Sequence, residues 1–174
     1  PELYRDGLLA VEDGEFWTNN GYSTKGITTM IGSVILSKFI PSIEPRGGST
    51  LEQQLIKNVY FGGGADIKTT TRKIQEIYLA QQLDHNFSKK DILTHYVNNL
   101  SFAEGDIGIK AVMMTYFGKS PTDYQERTIE NIAEQAYMVG LGQNPTTFNL
   151  YEQPKEAHQR TKTVLGVLLE SDLI

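Results

Sequence analysis

The 174-residue chain contains no cysteine, which excludes a disulfide framework and any thiolate zinc site and leaves an extracytoplasmic home open. Proline is scarce, with six residues, and the glycines gather at a few break points, so little interrupts helical spacing. Positive charge is in deficit. The 16 Lys and Arg against 21 Asp and Glu leave a net charge of −5, which argues against a nucleic-acid partner. Long apolar runs are missing too: the stretch from Met30 to Ile40 is broken by Ser33, Ser37 and Lys38 and falls short of the roughly 20 residues a membrane span needs. No Gly-x-x-x-x-Gly-Lys-Ser/Thr loop occurs, so no nucleotide cofactor is expected. The start at Pro1-Glu2-Leu3, with neither Met nor a signal peptide, reads as an excised domain from which any anchor has been removed.

What is there is globular: 39% hydrophobic, 10% aromatic and 21% charged residues, enough for one cored domain over 1–174 with no internal repeat or dividing linker. Alternating strand patterns are nearly absent and the spacing predicts an all-α chain. Helices are expected over Leu3–Glu12, Ile27–Phe39, from Ser49 onward, Arg72–Leu83, from Ser88 through Val97, Ile109–Tyr116, Ile129–Leu141 and Ala157–Leu169. Ser49-Thr50-Leu51-Glu52 and Ser88 with Asp91 have capping-box spacing. Leu51, Leu55 and Val59 form an i, i+4, i+8 stripe, and Ile74, Ile77, Tyr78, Leu79 and Leu83 the expected apolar side of the Arg72–Leu83 helix.

Three places could carry chemistry. Between Arg46 and Lys73 lie Arg46, Lys57, Lys68, Arg72 and Lys73 against only Glu52 and Asp66, so this segment is +3 while the rest of the chain is −8. Within it, Gln54, Lys57 and Asn58 fall on one helix face behind a Gly-Gly-Ser-Thr turn, an arrangement suited to a phosphate or pyrophosphate, or to a solvated face with a capped turn. The second is the carboxylate cluster Glu12-Asp13-Gly14-Glu15, followed by Phe16 and Trp17. Glu12 is the member expected to face inward, where apolar neighbours would raise its pKa toward a value useful to a general base; the alternative is an acidic turn with Asp13 and Glu15 in water. Third, Arg72 and Lys73 stand at i, i+4 and i, i+3 from Glu76. They make either a surface ion pair or a second site carboxylate that faces Glu12 across a cleft, as acid/base work on sugars requires. His85, His95 and His158 form no metal-ligand spacing, and the nine tyrosines read as packing.

In this order the segments resemble the peptidoglycan glycosyltransferase domain, glycosyltransferase family 51, of class A penicillin-binding proteins and monofunctional transglycosylases. Five stretches carry the resemblance: Glu12-Asp13-x-x-Phe16 with Gly21; Gly47-Gly48-Ser49-Thr50-x-x-Gln53-Gln54-Leu55-x-Lys57-Asn58; Arg72-Lys73-x-x-Glu76; Lys89 through Ile92-Leu93 to Tyr96-Val97-Asn98; and Gly108 with Ala111 and Tyr116-Phe117-Gly118-Lys119. The resemblance implies a lysozyme-like larger lobe and a smaller jaw lobe, here 27–45, that rests on the membrane surface. It implies polymerisation of lipid II into glycan strands with inversion, at the outer face of the bacterial cytoplasmic membrane, under an N-terminal anchor outside this chain. Glu12 would be the general base and Glu76 the second carboxylate. Ser49, Gln54, Lys57, Asn58, Lys68, Arg72, Lys73 and Phe16 would bind the substrate, and a Mg²⁺ or Mn²⁺ ion, where one is used, would take Glu76 and phosphate oxygens. Lipid II, the lipid-linked glycan chain and moenomycin-type inhibitors are the implied partners.

The sequence departs from the family pattern at Asn19 (commonly His), Thr29 (Arg), Glu52 (Thr) and Gln75 (a basic residue). Thr29 and Gln75 weaken the expected acceptor and phosphate contacts, whereas Glu52 is accounted for as the capping partner of Ser49. The rival readings are a lysozyme-like glycan hydrolase, which has no use for the Gln-Gln-Leu-x-Lys-Asn face, and a non-catalytic lipid II-binding scaffold.

Overall fold

The computed structural model describes residues 1–29, 48–62, 70–102 and 105–174. Its helices are α1 (Glu2–Glu12), α2 (Leu51–Val59), α3 (Thr70–Asn86), α4 (Lys89–Asn99), α5 (Ile109–Phe117), α6 (Ile129–Gln143) and α7 (Pro154–Glu170), with a 3₁₀ turn at Pro121–Tyr124. Residues 24–29 are helical as well. Among the described residues there is no strand, only an isolated bridge between Ser101 and Ile107, in keeping with the all-α expectation. The expected jaw at 27–45 lies outside the described residues from 30 onward, as do Arg46, Gly47 and Lys68.

The chain forms two compact units, Pro1–Val11 with Val97–Ile174, and Glu12–Tyr96. In the first, α6 is buried from Gln135 through Leu141, the pattern of a helix surrounded by others, and α7 packs along it through Ala157, Val164 and Leu168. α1 adds Leu3, Tyr4, Leu8 and Leu9 to this core. Gly7 lets α1 come in close, since a Cβ there would stand 2.7 Å from Leu168 Cδ2. The first turn of a helix has backbone N–H groups without intrahelical partners, and buried Gln135 serves one of them, its Oε1 accepting from the Tyr4 N–H at 3.1 Å. Gly118 ends α5 in the left-handed conformation, and the next residue, Lys119, donates to Glu130, Glu134 and Asn131 of α6.

The second unit is built around a packed pair, α2 and α3, with Phe16 in its core. Two expectations fail here. Val59 ends α2 63% exposed, so only Leu51 and Leu55 of the stripe are inward, and Ile74 and Tyr78 of α3 are exposed while Glu76 and Ala80 are buried. The polar side of α3 faces inward because its charges find partners there, and a buried ion is tolerated only when it is paired and hydrogen-bonded. Gly21 is needed where the chain crosses α3: its φ is +79°, and a Cβ would come within 2.4 Å of the Ala80 carbonyl oxygen.

Candidate active site

The N-terminal end of α2 organises the second unit. Thr50 caps the helix, its side chain accepting from the Gln53 N–H while its hydroxyl donates to the Gly21 carbonyl at 3.0 Å. The expected capping box of Ser49 and Glu52 is therefore corrected, because the helix begins one residue later and both side chains are turned to other work. Ser49 Oγ accepts from Lys73 Nζ at 2.8 Å. Glu52 is fully buried and accepts from Lys89 Nζ at 2.6 Å.

The alternative of a hydrated acidic turn fails at Asp13, which is buried and whose Oδ2 accepts from the Leu51 N–H at the start of α2 and from Asn19 Nδ2, both at 3.1 Å. Burial pushes its carboxyl from the ordinary 3.8 up to about 6; the Leu51 amide and the Lys89 charge oppose the rise, and Glu52 adds to it. Glu12 is half-buried beside it at the end of α1, where its Oε2 accepts from Gln54 Nε2 at 3.2 Å. Tyr96 donates its hydroxyl proton to Gln54 Oε1 at 2.9 Å, which turns the amide nitrogen toward Glu12. A pocket of about 300 Å³ opens beside Glu12, lined among others by Glu15, Ser23, Lys25, Thr29 and Ser49.

One turn away lies a second cluster. Lys73 Nζ donates to Ser49 Oγ and Gln53 Oε1, each at 2.8 Å, and to Glu76 Oε2 at 3.2 Å. Arg72 Nε stands 3.1 Å from Glu76 Oε1, and Glu76 is only 4% exposed, so this is no solvated surface pair. Burial lowers the Lys73 pKa; Glu76 pulls it back up, while Lys57 and Arg72 lower it further. Lys73 is thus a partly dehydrated cation with two cationic neighbours, an electrostatic setting that favours an incoming anion. Lys57 and Asn58 are half-buried further along α2.

Of the expected site residues, Glu12, Ser49, Gln54, Lys73, Arg72 and Glu76 are tied to one another through the first two turns of α2. Phe16 is corrected. It is completely buried, with the Lys89 ammonium 4.9 Å from its ring centroid, and has no surface to offer a substrate. The spacing gave no hint of the Lys89 cluster, whose partners stand up to 70 positions away along the chain.

The family model described as Transglycosylase matches residues 1–168. The chain belongs to that family. It is 31% identical over its whole length to penicillin-binding protein 1A/1B of Bacillus subtilis (strain 168), of which it covers 18%. It is 34% identical over 95% of its length to penicillin-binding protein 1A of Clostridium perfringens (strain 13 / Type A), covering 24% of that protein. A further relative, penicillin-binding protein 1A of Streptococcus oralis, is 32% identical over 92% of the chain. The chain spans about a fifth of the length of these relatives. It is a transglycosylase domain, an enzyme domain of the peptidoglycan glycosyltransferase class.

Proposed function

We propose that this transglycosylase domain polymerises lipid II. In this reading Glu12 takes the proton of the acceptor GlcNAc 4-hydroxyl as that oxygen attacks C1 of the lipid-linked chain. The new C1–O bond forms as the bond from C1 to the pyrophosphate oxygen breaks, its electron pair leaves with the pyrophosphate, and the anomeric carbon inverts. The observation that supports this most is the convergence on the first two turns of α2 of a hydrogen-bonded Glu12 and a half-buried pair of cations, Arg72 and Lys73, on the buried Glu76. A departing pyrophosphate gathers negative charge, and cations already fixed in place stabilise it without reorganising. Lys57 and Asn58 extend the same side of α2, Lys68 is the further expected contact of the sequence, and the pocket lined by Lys25 and Thr29 is where the acceptor would sit.

A Mg²⁺ or Mn²⁺ ion would find one carboxylate here, and both oxygens of Glu76 already stand 3.1–3.2 Å from Arg72 and Lys73. Glu76 is the residue that would hold such an ion beside the substrate, and the ion would supply positive charge to the leaving group. Among the described residues no helix is long and apolar enough to cross a membrane. The lipid-linked substrate places the reaction at a bilayer surface, at the outer face of the bacterial cytoplasmic membrane, with 27–45 as the jaw-like contact of a lysozyme-like domain. A moenomycin-type inhibitor would compete for the cationic side.

The test is polymerisation of labelled lipid II in detergent by the wild-type chain, Glu12→Gln and Lys73→Met, with and without divalent cation. Glycan from the wild type, none from Glu12→Gln, and weakened turnover in Lys73→Met are expected. Binding of lipid II without product in the wild type would point to a scaffold, and shortening of finished glycan to a hydrolase.

A further inference from the structure

The proposed base is held by a second layer of polar residues that the reaction scheme does not use. Lys89 spends all three of its N–H donors, on Glu52 Oε1 and Asp84 Oδ1 at 2.6 Å each and on Asn19 Oδ1 at 2.7 Å. The same Asn19 oxygen accepts from the Gly21 N–H at 2.9 Å. With two donors converging on its oxygen, the Asn19 amide has one orientation open to it, which presents Nδ2 to Asp13 Oδ2 at 3.1 Å. Asp13 in turn accepts from the Leu51 N–H, and one turn along α2 Gln54 holds Glu12. Leu51 and Gln54 are i, i+3 on one helix, so the two consecutive carboxylates Glu12 and Asp13 are pinned to the same face of α2 at two points.

We propose that Asn19 is a positioning residue for the Glu12 base, relaying the fixed Lys89 ammonium to Asp13 and so setting where Glu12 and Asp13 meet α2. This rests on the glycosyltransferase reading for the role of Glu12 but not for the relay itself. Asn19 and Glu52, two of the four departures from the family pattern, are then one unit: Glu52 helps to anchor the ammonium that orients Asn19. The charged groups facing Asp13 are Glu52 from α2 and Lys89 from α4, with Asp84 of α3 behind Lys89 and Glu12 adjacent in the chain. Of these Lys89 alone is a cation, so the amide donor adds directly to what keeps Asp13 ionised.

Asn19→Leu keeps the volume and deletes the relay, whereas Asn19→His restores it, since a neutral imidazole has one acceptor nitrogen for Lys89 and one N–H for Asp13. Asn19→Leu is expected to lower kcat for lipid II between about ten- and a hundred-fold, the range for a misplaced reacting group, with KM close to wild type and a melting temperature lowered by a few degrees through the donors left unpaired. By carboxyl carbon NMR the Asp13 titration midpoint moves up in Asn19→Leu, because a hydrogen bond to the ionised form is lost. Asn19→His returns both rate and midpoint toward wild type. An unchanged Asp13 midpoint in Asn19→Leu overturns the relay, and so does a fall in rate that tracks a fall in melting temperature and is not rescued by histidine. If the wild-type chain makes no glycan, the glycosyltransferase reading fails and the Asp13 midpoint alone decides the relay.

Discussion

Removing the charge of Lys89 should weaken the second unit severely. Glu52 is fully buried, its Oε2 has no hydrogen-bond partner among the described residues, and its other oxygen is held by Lys89 at 2.6 Å. Lys89→Met leaves that carboxylate uncompensated, and breaking a buried pair from one side costs about 3–5 kcal/mol. For a chain of this length each kcal/mol moves the melting temperature by about 2–4 °C, so a drop of roughly 6–20 °C is expected. The Asp84 side chain is 16% exposed against 0% for Glu52, so Asp84 reaches water more readily and adds less. Glu52→Gln placed in the Lys89→Met background removes the orphaned charge and should return more than half of the loss. The assay is calorimetry or urea unfolding of wild type, both single variants and the double variant, read as a cycle. A Lys89→Met cost below about 1 kcal/mol, the range of an exposed pair, would refute the burial argument, as would a double variant no more stable than Lys89→Met.

Two further outcomes follow from single positions. Gly21→Ala should destabilise by more than the roughly 1–2 kcal/mol of a left-handed alanine, because its Cβ would also meet the Ala80 carbonyl oxygen at 2.4 Å; an unchanged urea midpoint would contradict the close crossing. Asp13 titrates near 6 in the folded chain against 3.8 in the unfolded one, so between those values the native state holds the extra proton and stability falls as pH rises, by on the order of 2–3 kcal/mol at most. Urea unfolding from pH 4 to 7 should show that fall in wild type relative to Asp13→Asn, and parallel pH curves for the two would sink it.

Helix type and spacing were legible in the chain because they depend on local repetition. The stretches Ile109–Tyr116, Ile129–Leu141 and Ala157–Leu169 appear as helices extended by one to three residues at one or both ends. The cap of Ser88 with Asp91 is present because both partners lie within one turn. The residue types of the site were legible for a related reason: Glu12, the Gln-Gln-Leu-x-Lys-Asn run and Arg72-Lys73-x-x-Glu76 are short patterns whose order survives without a fold. Tertiary structure alone decided which charges are buried. The periodicity of α3 favoured Ile74 and Tyr78 for the inside, yet pairing of Lys73 with Ser49 and Gln53 across α2 turned Glu76 inward instead. Asp13 looked like the hydrated member of its cluster until the start of α2, 38 residues on, supplied an amide to hold it. Glu52 looked like a local cap until Lys89, 37 residues on, supplied its counter-charge. Burial of a charge depends on partners distant in sequence, because only a complete set of donors repays the loss of water, and no local pattern encodes where that set assembles.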